Sequence, residues 1–490
     1  MADILIIGNG PLPEPGTAKV GRASLRTWQI CRPLTDSPHT VHLIALPAYE
    51  RPEGHGASTG ESKPIDCEGL ACTLLPRADL DYALAAAQRA LDRIKPSCIV
   101  AANSYPAYIA SQLRARLPLW VDLSGCALAE GQIHAWRLGD ERSLEEAWKQ
   151  EQGALMRADK FSTASMPRLY ALLGELGAIG RLNRLTAHYH FAHYTPPAAH
   201  PLFTRPPAAA HPPLRRAEIP GDACAALWSG SFDSWVDIDV LIAGLEKAMA
   251  ANPKIHFVAT GGAVVGHDEL TYRRFRAAVE KSPHASRYHL LGWVNVDRLP
   301  AIYRECDLGL CVDGKHYETL FGSRLRLINM MAAGLPVAAA LGTEISHILD
   351  EEQIGLTFPA GDAEALAQIL IRAASQPHAL RTLGQKGRNY VMRHFTAPAL
   401  MKPLRDWVDE PRLAPDNAEK DRLMPPGAAF QEFALNAIQE TQLRLAGVDL
   451  PALFQAKVDL DLIRSKWWRR LGHSAKSQIL NFLRQRHWIP

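Results

Sequence analysis

Short unbroken apolar runs alternate along this chain with stretches whose apolar positions recur every three or four residues. ILIIG (4–8), VHLIAL (41–46), CIVAAN (98–103), LWVDLSG (119–125) and KFSTAS (160–165) read as strands. Tyr82–Ile94, 107–116 and 143–157 read as helices between them. A strand that is apolar at every position is covered on both faces, as in a parallel sheet between two helix layers. The pattern breaks at 196–220, where eight prolines fall in 25 positions. No helix interior or central strand accommodates that density, so this segment reads as a linker. Alternation restarts with CAALW (224–228), a helix at 237–250, IHFVAT (255–260), YHLLGW (288–293) and a helix at 298–305. DLGLCV (307–312), a helix at 323–333, PVAAA (336–340), LTF (356–358) and a helix at 363–375 complete it. The expected fold class is α/β: two Rossmann-like doubly wound parallel-sheet domains, 1–195 and 221–394, then a helical extension over 395–490. Ligands of such sheets bind at the carboxyl edges of the strands, so two facing edges predict a cleft.

One segment carries chemistry beyond this pattern. YETLFGSRLRLINMMAAGLPV (317–337) places a Gly-Ser pair before a helix whose first turn holds Arg324 and Arg326. A helix N-terminus presents unpaired N–H groups and the positive end of the macrodipole, which favour an anion. Guanidiniums beside it suit a phosphate ester, gripped in fork geometry. The alternative is that both arginines merely solvate an exposed turn. Positions i and i+2 point to different helix faces, so only one is expected to touch phosphate, and Arg324 lies nearer the helix start.

Composition narrows the class. The chain has 490 residues, 47% hydrophobic and 21% charged, which describes a globular protein too long for one core. A net charge of +3 gives no overall attraction to nucleic acid. Eight cysteines without a CxxC pair fit a reducing cytoplasm. MADILIIGNG lacks the basic start and apolar length of a signal peptide, and no apolar run reaches the roughly 18 residues of a membrane span. GNGP around Gly8, Asn9 and Gly10 is not GxGxxG, because Pro13 stands where the third Gly belongs, so a nicotinamide cofactor is not indicated. No Ser–His–Asp or GxSxG arrangement stands out.

The order WSGSFDSWVD (228–237), HLLGWVNVDRLPAIYRECDLGL (289–310), HYETLFGSRLRLINMMAAGLPV (316–337) and GLTFPAGDAEALA (355–367) resembles the glycosyltransferases group 1. These are retaining, nucleotide-sugar-dependent enzymes of the GT-B fold. SYPAYIA (104–110), PLWVDLSGCALAE (118–130) and ALLGELGAIGRLN (171–183) are similar to a bacterial, glycan-synthesising branch. The resemblance covers roughly residues 1–400. It implies a donor held by the second domain, an acceptor held by the first, and no metal or cofactor in the chemistry. It also implies a last helix, FTAPALMKPLRDWVD (395–409), that crosses back onto the first domain. The chain departs from the family signature of two glutamates seven residues apart. Asn329 stands at the second, Phe321 at the first, and Glu318 is the nearest acid. The Arg and Lys expected after the first strand of the second domain are absent, with Ser231, Phe232 and Asp233 in their place.

The resemblance and the loop positions together give the candidate site. Glu318 is assigned to orient the donor sugar, Arg324 and Arg326 with Gly322 and Ser323 to hold the diphosphate, and Asn329 to bond a ribose hydroxyl. Gly230, Ser231 and Asp233 follow one strand, where Gly230 lets backbone amides approach a pyrophosphate. Gly261 and Gly262, with Gly292 and Trp293, frame the base pocket, and Asp313 shapes the donor pocket. Gly8, Asn9, Gly10, Tyr105 and Glu130 are the acceptor candidates, and Asp122 is the candidate base for its hydroxyl. Trp228 and Trp235 read as packing residues. His188, His190, His193 and His200 lack acidic or thiol partners and read as a polar hinge rather than a zinc site.

Residues 462–490 hold seven Arg or Lys, no acid, and Trp467, Trp468 and Trp488. This suits an anionic membrane surface, where a lipid-linked saccharide acceptor is found, or a helix packed on the body; nothing supports nucleic acid. The expected activity is glycosyl transfer from a nucleotide diphosphate sugar to a glycan or lipid-linked hydroxyl, in the cytoplasm or on the inner face of its membrane. A sugar-nucleotide epimerase and a non-catalytic relative that binds partners are the alternatives.

Overall fold

The computed structural model describes residues 2–14, 17, 20–47, 65–67, 69–205, 214, 215, 219–264 and 266–419. The basic stretch 462–490 lies outside them. Two parallel sheets organise the remainder. The first contains β1 (Asp3–Gly10), β2 (Thr40–Pro47), β3 (Ile65–Cys67), β4 (Leu70–Leu74), β5 (Cys98–Ala102), β6 (Leu119–Leu123), β7 (Lys160–Thr163) and β8 (Ala192–Tyr194). Its order is β3-β4-β2-β1-β5-β6-β7-β8, and only β3 runs antiparallel to its neighbour. Its helices are α1 (Arg22–Thr35), α2 (Leu80–Ile94), α3 (Ser104–Ser111), α4 (Ala127–Leu138), α5 (Arg142–Arg157) and α6 (Met166–Ala178).

Strand order reverses between β1 and β5, so the connection leaving β1 opens onto a switch point and delivers α1 there. The buried face of α1 is polar in its first half, with Ser24, Arg26, Thr27 and Gln29, and apolar in its second, with Ile30, Cys31 and Leu34. Its charge is matched inside the domain. Arg26 grips Asp122 through two bonds of 2.9 and 2.6 Å and also donates to the Thr195 carbonyl at 2.8 Å. The Gln29 amide donates to the Ala198 carbonyl at 2.6 Å. Leaving one partner of such a buried pair alone costs about 3–5 kcal/mol, which ties α1 to β6 and to the chain leaving the domain.

That chain is the Pro-rich segment. Residues 195–200 are buried rather than free, and a single turn, α7 (Pro201–Thr204), follows. The second sheet then contains β9 (Cys224–Ser229), β10 (Ile255–Thr260), β11 (Tyr288–Gly292), β12 (Leu308–Cys311), β13 (Val337–Ala340) and β14 (Leu356–Phe358). All its pairs are parallel, in the order β11-β10-β9-β12-β13-β14, so the switch point falls between β9 and β12. Around it lie α8 (Ile238–Ala251), α9 (Leu270–Lys281), α10 (Leu299–Glu305), α11 (Tyr317–Phe321), α12 (Leu325–Ala332), α13 (Glu344–Glu351), α14 (Ala363–Ser375) and α15 (Pro377–His394). Strands of Ala, Val, Leu and Ile such as CAALWS and VAAA are buried throughout, as the unbroken apolar runs require.

After α15 the chain returns to the first domain. Beyond α16 (Ala397–Leu400), α17 (Lys402–Asp409) packs Met401, Leu404, Trp407 and Val408 against Ile4, Ile6 and Trp120. The Trp407 and Trp120 rings lie 5.5 Å apart. This helix thus lies on the first domain. Arg181 then clamps Asp416 with bonds of 2.7 and 2.9 Å.

Other contacts join the two sheets' helices directly. Glu344 of α13 accepts from the Met166 amide and the Tyr194 hydroxyl, each at 3.1 Å. Arg137 of α4 donates to Thr271 Oγ1 at 3.0 Å and to the Val236 carbonyl at 3.2 Å. Cys31, Cys98, Cys126, Cys224, Cys306 and Cys311 are free and buried, and Cys72 is buried. Among the described residues, no helix is long and apolar enough to cross a membrane.

Candidate functional site

Three strands of the second sheet end in glycines with positive φ: Gly230 after β9 (99°), Gly261 after β10 (109°) and Gly292 closing β11 (66°). The Gly230 amide donates to the Thr260 carbonyl and the Gly261 amide to the Gly292 carbonyl, both at 2.6 Å. A Cβ on Gly261 would lie 2.3 Å from the Gly230 carbonyl oxygen. Glycine at 261 is thus demanded twice, by dihedral and by space. The ends of β9 and β10 at Gly230 and Gly261, with the start of α12, line a cavity of about 950 Å³, its open mouth included. Ser229, Gly230, Ser231, Asp233, Thr260, Gly261, Trp293, Ser323, Arg324, Arg326 and Asn329 contribute to its walls. Its apolar part is formed by Phe203, Val294, Val296, Leu299 and Tyr303. Phe203 and Tyr303 stack there with centroids 4.8 Å apart. The first domain adds Val20, Gly21, Arg22 and Leu25, from the start of α1.

The two arginines of the α12 segment have different surroundings. Arg324 caps the helix rather than lying in its first turn, and its side chain is 4% exposed. Its Nε donates to Asp313 Oδ2 at 2.8 Å, while Nη1 and Nη2 fork onto Glu318 Oε1 and Oε2 at 3.0 and 2.7 Å. Burial acts to lower this guanidinium's pKa, but Asp313 and then Glu318 overcome it and hold it well above its ordinary value. Burial also raises the Glu318 carboxyl above the usual range, with Arg324 opposing. Gly322 makes the fork possible, since a Cβ there would lie 2.5 Å from Arg324 Nη1 and 2.6 Å from Glu318 Oε1.

Arg326 is held more loosely. Nη2 donates to the Ser231 carbonyl at 3.3 Å, and the guanidinium lies 4.7 Å from the Trp228 ring centroid. Asp233 is 3.9 Å away and is itself bonded by the Ser231 hydroxyl at 2.6 Å. Arg326 Nη1 is buried with no partner. An unpaired guanidinium N–H in a cavity wall is ready for an anion, because leaving it unsatisfied is costly. Arg324 was expected to be the one that touches phosphate; in the structure three of its N–H donors are spent on two carboxylates, and Arg326 has the unpartnered nitrogen. Asn329 is 3% exposed, and its carboxamide oxygen accepts from the His200 amide at 3.0 Å.

In the first domain, several candidates have structural roles. Asp122 is fully buried, and its oxygens take Arg26 and the Ser162 hydroxyl (2.6 Å), so no acceptor can reach it as a base. Gly8, Asn9 and Gly10 are not a loop after β1 but its last three residues. A Cβ on Gly8 would meet Thr27 of α1 at 2.4 Å, and the Asn9 amide donates to Thr27 Oγ1 at 2.8 Å. Their small size brings α1 against the strand. Tyr105 donates its hydroxyl to the Ala78 carbonyl at 2.5 Å and packs on the domain core. None of these lines the cavity. Glu130 comes closer: its Oε1 accepts from Arg22 Nη2 at 2.6 Å beside the cavity. The histidines 188–200 do not gather into one site. His193 stacks on Trp120 at 5.2 Å, and His200 lies tilted against Trp28 at 4.1 Å. Gly262 and Gly292 support the wall without lining it.

Gly21, Arg22, Leu25, Tyr303 and Phe203 escaped the sequence reading. The signal for the first three was a strand, a Pro-rich loop and a Gly-Arg pair. The inward-facing polar residues of α1 erase the apolar period that would have marked the helix behind them.

Comparison with known proteins is consistent with this geometry. Residues 224–376 match the family described as glycosyl transferases group 1. A search of curated proteins gives no match. Sucrose-phosphate synthase from Thermosynechococcus elongatus superposes with a TM-score of 0.64 at 19% identity, covering 84% of this chain and 99% of that one. An α,α-trehalose 6-phosphate synthase from Burkholderia multivorans gives 0.60 at 13% identity, over 84% and 98%. The Anabaena protein HepE in complex with UDP-glucose gives 0.57 at 14%, over 84% and 99%. Residues 224–376 are a group 1 glycosyltransferase domain, and the chain has the GT-B fold of these structures.

Proposed function

We propose that this enzyme transfers a sugar from a nucleoside diphosphate sugar in the second domain's cavity to a saccharide hydroxyl presented by the first domain, with retention at the anomeric carbon. The observation that carries the reading is Arg326, whose Nη1 lacks a partner in the wall of a cavity that also receives the start of α12. That cation and the helix N-terminus favour the diphosphate, and the glycine strand ends admit it against bare backbone. The apolar end around Tyr303 and Leu299 suits a nucleobase. Asn329 offers its amide N–H groups to the ribose.

In the reaction, the bond between the anomeric carbon and the β-phosphate oxygen breaks, its electron pair staying on that oxygen. The acceptor oxygen bonds the anomeric carbon, and the acceptor's proton passes to the released diphosphate. Positive groups fixed where this charge grows lower the barrier without reorganising. Charge neutralisation is assigned to protein groups, and no resident metal or cofactor is invoked. Glu318, assigned from the sequence to orient the sugar, is 1% exposed and lies behind the cavity wall rather than in it, where both its oxygens accept from Arg324; the two side chains fix each other beside the start of α12. The UDP-glucose held by a protein of similar fold supports the donor class. The basic, Trp-bearing stretch 462–490 favours a lipid-linked or polymeric saccharide acceptor at a membrane surface.

Titration with nucleoside diphosphates, read as a rise in melting temperature, tests the site. One of them is expected to stabilise the wild type by several degrees and Arg326→Ala far less. Equal stabilisation of both proteins would remove Arg326 from the site.

A further inference from the structure

The second domain alone supplies little open positive charge to its cavity. Arg324 is consumed by Asp313 and Glu318, and the loop after β9 carries Ser231 and Asp233 bonded to each other. The buried Nη1 of Arg326 is the one guanidinium nitrogen of the Arg324 and Arg326 pair left without a partner, for a leaving group that carries more than one negative charge. Another guanidinium reaches the same cavity from the first domain. Arg22 is the first residue of α1, whose N-cap Gly21 offers no side-chain cap and whose first turn has no acid. Its side chain is 39% exposed and lies 5.5 Å from the centroid of Trp235, across the cleft on the second domain. Its ion-pair partner is Glu130, on its own domain, at 2.6 Å. The pair rests on the bare backbone of Gly125, where a Cβ would lie 2.5 Å from Glu130 Oε1 and 3.2 Å from Arg22 Nη1.

Resting on the site reading above, we propose that Arg22 is the second diphosphate cation, contributed by the first domain. With a donor bound, it leaves Glu130 and engages the β-phosphate oxygen whose bond to the sugar is breaking. Glu130 is then a parking partner that holds the guanidinium at the cavity mouth while the site is empty. Arg22 exchanges no atom with the substrate. It stabilises charge that is larger in the transition state than in the bound donor, so its contribution falls on kcat more than on binding. The placement also links chemistry to apposition of the domains, because a donor seated with the cleft apart has only Arg326. Glu318 and Asp233 both strengthen the Arg22 charge electrostatically, after Glu130, so it arrives as a permanent cation.

The test uses the full chain, a nucleotide sugar found to be turned over, and its nucleoside diphosphate as the binding probe. Arg22→Ala is expected to lower kcat about 100-fold or more while weakening diphosphate binding less than about tenfold. Arg22→Lys is expected to recover part of the loss. Glu130→Gln breaks the same ion pair but keeps the cation, and is expected to tighten diphosphate binding. If the pair were only a structural tie, Glu130→Gln and Arg22→Ala would lose turnover together, which overturns the proposal. So does an Arg22→Ala enzyme within threefold of wild-type kcat. A wild type that binds no nucleoside diphosphate overturns the site reading, whereas a wild type that binds and turns over beside an equally active Arg22→Ala overturns only the role of Arg22.

Discussion

Replacing Arg324 and Arg326 separately by alanine should have opposite consequences. Arg324→Ala strands two carboxylates that are 4% and 1% exposed and that together took three of its N–H bonds. Removing one partner from a buried ionic network costs about 3–5 kcal/mol. For a domain of this size, each kcal/mol corresponds to roughly 2–4 °C, so melting of the second domain should fall by about 6–20 °C. Arg326→Ala removes a 3.3 Å bond to a carbonyl and a contact with the Trp228 ring, together worth about 1 kcal/mol or 2–4 °C. Differential scanning fluorimetry with and without a nucleoside diphosphate reads both effects. Arg326→Ala should melt nearly like the wild type and lose the ligand-induced rise, while Arg324→Ala should melt early. The pH dependence adds a sign. Once Arg324 is gone, Glu318 has a folded pKa raised by burial, so the penalty is absent below its unfolded pKa and grows as pH rises through the folded one. An Arg324→Ala protein as stable as wild type at neutral pH, or an Arg326→Ala protein that melts as early as the Arg324→Ala protein, would refute the assignment.

Three further outcomes are expected. Gly261→Ala puts a methyl 2.3 Å from the Gly230 oxygen at a φ of 109°, and should cost at least 1–3 kcal/mol and abolish the diphosphate-induced thermal shift. Trp407→Ala empties the contact with Trp120 and should destabilise the first domain by about 3–5 kcal/mol, seen as an earlier denaturant midpoint there with no change in the second. Burial pushes the His200 imidazole down to about 4, so its stabilisation is complete above the unfolded value near 6.5 and is lost as pH falls from there through 4. The loss approaches about 3 kcal/mol at the acid end, and His200→Gln should flatten that part of a stability–pH curve by the same amount.

The architecture was legible wherever residues faced apolar surroundings. β1, β2, β5, β6, β7 and every strand of the second sheet lie under runs singled out by hydrophobicity, because strands between two helix layers have no polar side to dilute the signal. The edge strands β3 and β8, and the short β4 next to β3, were missed. So was α1, since the first half of its inner face is Arg26, Thr27 and Gln29, which buries charge against Asp122 and leaves only Ile30, Cys31 and Leu34 to carry an apolar signal. The same burial misled the reading of Asp122: a carboxylate at a strand end looks catalytic until its partner, 96 positions earlier, is seen to fill it. The site was legible in outline, because glycines after strands and arginines at a helix start have few other uses. Which arginine is free was not, because the choice rests on Asp313 and Glu318 folding onto Arg324, a matter of side-chain direction rather than spacing.

The central claim is acceptor-dependent glycosyl transfer from a nucleotide sugar. The most direct measurement incubates the full chain with a panel of nucleotide sugars, with and without a saccharide or lipid-linked saccharide acceptor pool, and quantifies nucleoside diphosphate release. The account predicts that one donor class is consumed, that release rises at least tenfold with acceptor, and that Arg326→Ala loses it. No release from any donor with acceptor present, although a nucleoside diphosphate binds in the cavity, would contradict it.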